Sequence, residues 1–263
     1  MGTGMNPQRP GIEWTHPWGR RGFTWNVQGG CLAKCAWNTG DGVTECYAKT
    51  VAEKLAVKAY PQGFAHSYWH PERLEAPYKI EEPAGIFVDS MSDLLGHWVP
   101  MERIMMVMDV IWENPKHVFF LLTKNAPRIG KITETLPPNL WLGVSVPADY
   151  MYGGRLNFEQ QDRMFVNALE HLMLSTANVT WVSFEPLSRP WHHLVADFDT
   201  LDWAVIGAAS RGKQTFQPAP WDLRMLEERL AQSYNIPVFY KGNLDAEVRR
   251  IEYPSEKEFG YAP

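Results

Sequence analysis

After Pro83 the chain alternates between short apolar runs of strand length and longer stretches of helical length, and this alternation restricts the fold more than any other feature. Gly85–Asp89, His117–Leu122, Asn139–Ser145, Val179–Phe184, Leu201–Ile206 and Ile236–Tyr240 read as strands. Val99–Glu113, Ala126–Thr135, Asn157–Ser175 and Pro220–Tyr234 read as helices, the first with Pro100 near its opening turn. Strand-length apolar runs separated by helical crossovers argue for a parallel sheet. With Phe23–Gln28 added the strands number seven, too many for a small domain and nearly enough for a closed barrel. The fold class expected is α/β, a single-domain full or partial TIM-type (β/α) barrel with parallel strands, ahead of an open doubly wound sheet. Its divisions are a lead-in over 1–22, the barrel over 23–245 with a cysteine loop at 31–46, and a tail over 246–263.

All three cysteines, Cys31, Cys35 and Cys46, fall in that one loop. It follows the extended run before Gly29–Gly30 and leads into a helix-like segment, Thr44–Tyr60. Three readings fit it. The thiolates hold three irons of a 4Fe-4S cluster whose fourth iron stays open to a small molecule. Alternatively they bind zinc with His16, His66 or His70 as the fourth ligand. In the third reading two form a disulfide and one is free, or all are core residues. The disulfide is the weakest, because an odd count with no secretion signal argues for a reducing compartment.

A chain of 263 residues with 45% hydrophobic content supplies a substantial core. Its formal net charge of −5 gives no global attraction to a phosphate backbone, so nucleic-acid binding would need a local basic face. Arg20–Arg21 and Arg249–Arg250 read as solvated surface. No apolar run approaches membrane-spanning length, and the expected setting is the cytoplasm. Trp25, Trp141, Trp181 and Trp203 lie in or beside strands and read as core, not as base-stacking platforms. Ile12–Thr15 reads as a short strand within the lead-in. Pro61–Pro83 is a long irregular connection, either a functional lid or a surface strap pinned by its aromatics.

In barrels of this kind chemistry collects where the strands finish. Asp89–Asp93, Thr123–Asn125, Ser145, Glu185–Pro186, Gly207–Ser210 and Lys241–Asn243 all stand at strand ends. A polar residue after a strand is what any turn shows. The argument rests on the whole ring facing the same rim as the thiols.

Cys31-x3-Cys35 followed by Cys46-Tyr47-Ala48 resembles the radical S-adenosylmethionine (SAM) signature, whose usual form spaces three cysteines by three and two residues. More closely, the chain resembles the phage-associated three-cysteine proteins related to radical SAM enzymes and, distantly, to spore photoproduct lyase. The matching pieces are Ile12–Thr15, Thr24–Asn26, Gly30–Cys31, Cys46–Ala48, His70–Leu74, Ile86–Leu94, Leu122–Lys124, Asn139–Val146, Phe184–Leu187 and Asp202–Gly207. They cover most of the chain in order. Ten residues, Ala36–Glu45, separate the last two cysteines, and Trp37–Gly42 looks like an inserted turn. Ala208–Ala209 stands where relatives commonly have Gly-Glu, so an acidic contact is absent there.

The resemblance implies a radical-SAM-like barrel with a 4Fe-4S cluster on Cys31, Cys35 and Cys46. The cluster's open iron would bind the amino and carboxylate groups of SAM. Reduction by an external one-electron carrier of the flavodoxin or ferredoxin type would yield a 5′-deoxyadenosyl radical that abstracts a substrate hydrogen. Tyr47 is a candidate for packing near the cluster or the adenine, or is a core aromatic. Ser90, Ser92, Ser145 and Glu185, with Gly207, are candidates for holding the methionyl and ribose groups. Asp93, Lys124 and Lys241 are candidates for substrate contact or proton transfer. Their structural alternatives are a helix cap for Asp93 and rim salt bridges for the lysines. The phage association points to DNA or a nucleotide as substrate, in the host-cell cytoplasm if the protein is phage-encoded. Against this enzyme stand a zinc-binding, nucleic-acid-associated module and a barrel that has kept the fold and lost SAM cleavage.

Overall fold

The apolar runs form a sheet of seven parallel strands among the residues described, 12–194 and 201–256, in the computed structural model. Residues 1–11 of the lead-in and 257–263 of the tail lie outside them. The strands are β1 (Arg21–Trp25), β2 (Ala84–Val88), β3 (Val118–Thr123), β4 (Leu140–Ser145), β5 (Val179–Phe184), β6 (Trp203–Ile206) and β7 (Val238–Tyr240). They lie side by side in chain order, with registers such as Phe23↔Ile86, Phe87↔Phe120 and Val182↔Ala204. No ladder joins β1 to β7 among the described residues, so the barrel is partial.

The helices are α1 (Tyr47–Thr50) in the cysteine loop and the crossovers α2 (Met101–Trp112), α3 (Phe158–Met173) and α4 (Pro220–Glu227). In α2 the buried set Ile104, Val107, Met108 and Ile111 follows the helical repeat and marks the face laid on the sheet. A capping box opens α3: the Asn157 side chain accepts the Gln160 N–H at 2.9 Å, and the Gln160 side chain accepts the Asn157 N–H at 2.8 Å. Pro220 starts α4, where a missing N–H costs nothing. Between β3 and β4 the expected helix is only two short 3-10 turns, Ala126–Lys131 and Thr133–Thr135. Pro127 and Gly130 account for this, since neither favours an α-helical interior. No described helix is long and apolar enough to cross a membrane.

Strand alternation sorts the side chains into two cores. Phe119, Leu121, Leu142, Val144 and Val182 face the helices. Phe120, Trp141, Trp181, Trp203 and Phe239 face the concave side. The lead-in takes part in the second core. Glu13–Thr15 is a 3-10 turn and not the expected strand, and the turn delivers Trp14 to the centre of the concave face. Ring centroids of Phe87, Trp181 and Phe120 lie 4.8, 5.1 and 5.6 Å from that of Trp14. At one end of this turn the Glu13 carboxylate accepts the Gly242 N–H, just past β7. At the other, Thr15 presses on Gly22 and Gly85, where an added Cβ would come within 2.3 and 2.1 Å of it. The segment thus crosses the concave face from the C-terminal end of β7 to the start of β1 and β2. The tail covers the free edge of β7, with the Tyr240 N–H donating to Arg250 O at 2.9 Å and the Glu252 N–H to Val238 O at 3.2 Å.

Beside the β2–β3 start, fully buried His117 accepts the Ala84 N–H on Nδ1 at 3.1 Å. Its Nε2 lies 3.3 Å from Pro77 O. Burial, helped by neighbouring Lys116, pulls its pKa down to about 4.

Two outcomes follow from this packing. Trp14→Ala removes the central filler and is expected to cost about 3–5 kcal/mol, read as a lowered urea midpoint. Because the folded pKa of His117 lies below the unfolded one, its contribution is present above about pH 6.5 and is lost as pH falls towards about 4. The stability gap between the wild type and His117→Gln should therefore shrink by roughly 1 kcal/mol per pH unit across that window. The difference between the two proteins is the readout, because Asp89 and Asp93, whose pKa values burial raises, act on total stability in the opposite sense.

Candidate functional site

The cysteine loop is held by backbone geometry before any metal is considered. Gly30 has φ +74°, and a Cβ there would fall 1.7 Å from His66 O, so only glycine fits. Its N–H donates to Met91 O at 3.0 Å, and the Cys31 N–H donates to Phe64 O at 2.9 Å. Cys31 is therefore pinned between the connection after α1 and the loop after β2. The ten-residue insertion closes on itself as an antiparallel hairpin, pairing Ala36↔Glu45, Trp37↔Thr44 and Asn38↔Val43. Cys35 and Cys46 are the next pair at its base, and the Cys46 N–H donates to Cys35 O at 3.1 Å. This hairpin also corrects the expected helix Thr44–Tyr60. Its start is strand Val43–Glu45, and α1 holds only Tyr47–Thr50 before a π-turn, Val51–Leu55.

All three thiols are free, part-buried and face one cavity of ≈ 330 Å³ at the C-terminal end of the strands. Burial, then the nearby Asp93 carboxylate, pushes the Cys31 thiol up. Burial pushes Cys35 up to about 12, with Lys124 pulling the other way. Such thiols stay protonated until a cation replaces their protons. Among the described residues no three His, Cys, Asp or Glu side chains close around one ion. None of His16, His66 and His70 lines the cavity. His16 accepts the Gly22 N–H at 3.1 Å instead, and His70 faces Glu72 at 3.4 Å. Three thiols with no imidazole suit a centre that leaves one position to a ligand better than a closed zinc site.

Trp14, Phe87 and Leu122 line the apolar part of the cavity, and the strand-end residues supply its polar part. Lys124 Nζ donates to Ser145 Oγ at 2.6 Å, and Lys241 Nζ pairs with Glu185 Oε2 at 2.8 Å. The second pair is the rim salt bridge expected as the alternative for the lysines. Asp93 is spent on structure: it accepts the Thr123 hydroxyl at 2.8 Å and the Lys124 and Leu95 N–H groups at 2.9 and 3.0 Å. It thereby aims Lys124 and caps its own turn. Ser90 and Ser92 reach the cavity, but their hydroxyls donate to Asn26 Oδ1 at 3.1 Å and Gly30 O at 2.7 Å. Tyr47 is 53% exposed and donates to Ser90 O at 2.6 Å, lying over the mouth instead of in a core. Gly207 does not line the cavity. A Cβ there would come within 2.9 Å of Lys241 and 3.3 Å of Glu185, so this glycine makes room for their ion pair.

Two residues given no individual role from the sequence, Asp89 of the strand-end ring and Ser183 within β5, stand in the cavity wall. Asp89 is buried at φ +56°, accepts the Gln28 N–H on Oδ1 at 2.9 Å, and has its pKa raised by burial to about 8. Ser183 lies two residues along β5 from the inward Trp181, and that parity was the signal for it. Asp89 Oδ2, Ser183 Oγ and Glu185 Oε1 are buried with no hydrogen-bond partner among the described residues. All three residues line the cavity. A buried polar atom without a partner is costly, and three on residues that line one cavity suit a ligand that satisfies them.

No curated protein matches the sequence. Among solved structures, a doubly substituted spore photoproduct lyase with bound AdoMet and dinucleoside spore photoproduct matches with TM-score 0.50 at 10% identity. The match covers 84% of this chain and 64% of that one. Spore photoproduct lyase complexed with dinucleoside spore photoproduct gives TM-score 0.49 at 10% identity, with the same coverages. The chain thus spans about 64% of the length of the lyase chains it matches, and the likeness is one of fold, the partial (β/α) barrel. The family described as "Protein of unknown function (DUF5131)" matches residues 9–255, and the chain belongs to that family.

Proposed function

We infer that the protein is a radical SAM enzyme. The observation that carries this reading is the return of Cys46 to Cys35 by the inserted hairpin, which sets all three thiols around one cavity beside three unpaired polar atoms. Cys31, Cys35 and Cys46 would hold a 4Fe-4S cluster. Such a cluster, with one iron free of cysteine, supplies the electron that converts SAM to a hydrogen-abstracting radical.

The remaining work falls to the chain's own residues. Glu185 Oε1 and Ser183 Oγ present acceptors suited to ribose hydroxyls or an ammonium group, and Lys241 keeps Glu185 aimed. Lys124 holds the Ser145 hydroxyl toward the same space. Trp14, Phe87 and Leu122 keep water from the deep end. Asp89, protonated near neutral pH, has a free oxygen with which to donate a hydrogen bond or a proton to a bound group. DNA or a nucleotide remains the proposed substrate class, on the resemblance and on the dinucleoside held by the lyase of similar fold. A flavodoxin- or ferredoxin-type reductant and a cytoplasmic setting complete the proposal.

Anaerobic reconstitution followed by iron and sulfide analysis tests the reading directly, with about four of each per chain as the expected result. One zinc per colourless chain would sink it. Each of Cys31→Ser, Cys35→Ser and Cys46→Ser should lower the iron bound, since every thiol holds its own iron. With dithionite and SAM the wild type should release 5′-deoxyadenosine. Glu185→Gln should bind SAM about tenfold more weakly by equilibrium dialysis, the usual loss for one charged hydrogen bond.

A further inference from the structure

Two hairpins meet over the thiol cavity. One is the insertion between Cys35 and Cys46. The other, Ala209–Arg211 with Gln214–Phe216, follows β6. Both contribute wall, Trp37 and Thr44 from the first, Ala209 and Ser210 from the second. Their inner strands touch.

Each hairpin is tied to the barrel below its tip. The Asn38 N–H donates to the buried Asp149 carboxylate at 2.7 Å, and Ala36 pairs with Tyr150. Asn243 holds the second hairpin by donating to Ala208 O at 2.7 Å and Ser210 Oγ at 2.9 Å. Across the top the ties are of another kind. The Arg211 guanidinium donates to Asp41 Oδ2 at 2.5 Å and Gln214 Nε2 reaches the same oxygen at 3.4 Å. Both charged side chains are 45% exposed. Gly40, Gly42 and Gly212, at φ +80°, +148° and +64°, turn the two tips in open space.

We propose that the two hairpins form an arch that opens at the Asp41–Arg211 clasp and so admits ligands to the thiol cavity. A solvated pair of this kind favours the closed form by only about 1.5- to 5-fold. The ties below the tips are several hydrogen bonds acting together, most of them part-buried, and are harder to break than one solvated pair, so the clasp parts first and the barrel is undisturbed. The insertion that departs from the usual cysteine spacing then has a purpose, because it carries Asp41 across the mouth to Arg211. This deepens the reading above and rests on it for what enters, but not for the movement. Protein that takes up no iron would end that reading and leave the arch standing.

The test uses the reduced, metal-free full chain and iodoacetamide, a neutral probe, with alkylation of Cys31, Cys35 and Cys46 followed by mass spectrometry. Asp41→Asn and Arg211→Gln should each speed alkylation by about 1.5- to fivefold. The exchanged pair, Asp41→Arg with Arg211→Asp, should restore a rate close to that of the wild type. Raising KCl from about 50 to about 500 mM should speed the wild type and leave the single variants nearly unchanged. Equal rates in all proteins would overturn the proposal, as would an increase that the exchanged pair fails to reverse, which would mark a damaged hairpin. Salt acceleration of the same size in the variants would overturn it too.

Discussion

A parallel sheet that curls without closing must have its hollow filled, and the way this one is filled decides where ligands can go. Along the strands the inward positions shrink and turn polar towards the C-terminal ends. Phe87 gives way to Asp89, Trp141 to Ser145, Trp181 to Ser183 and then Glu185, and Phe239 to Lys241. Trp14, brought in from outside the sheet, fills the middle, and Gly143 has no side chain because Trp181 occupies that place, 2.4 Å from where a Cβ would sit. Close packing below and small polar groups above leave space only at the end where the thiols stand.

Polar residues on that rim divide by what they spend their hydrogen bonds on. Asp93, Ser90, Ser92 and Asn243 are committed to loop backbone or to neighbouring side chains. Their work is to hold other groups in place. Asp89, Ser183 and Glu185 keep an atom unspent. Desolvation makes that an expensive state to maintain, and the same burial penalises the thiolate forms of Cys31 and Cys35, which therefore hold their protons. A cation at the sulfurs would offset the penalty on the thiolates, and a polar ligand beside them would satisfy the unpaired atoms.

Much of the fold was legible because the hydrophobic effect writes strands and crossover helices as apolar runs of different period, and β2 to β7 and α2 to α4 appear close to where the runs lie. The lead-in was not. Ile12–Thr15 carries no periodicity, and the role of Trp14 depends on a hollow assembled from strands far along the chain. The rim was legible as a ring of strand ends, whereas the part each member plays was not. Asp93 and Gly207 sit in the ring beside Glu185, yet one staples a loop and the other clears space for an ion pair.

By itself the sequence determined the parallel α/β architecture, the gathering of the cysteines in one loop and the end of the sheet that carries polar chemistry. These follow from local composition and order, which are complete before the chain folds. Only the tertiary structure decided that the insertion is a hairpin returning Cys46 to Cys35 and, among the described residues, that no histidine joins the thiols at the cavity and which polar atoms are left without partners. The hairpin's own pairings are local, but where it lies, and the other two outcomes, depend on contacts between residues distant in the chain, which exist only once the sheet has brought them together.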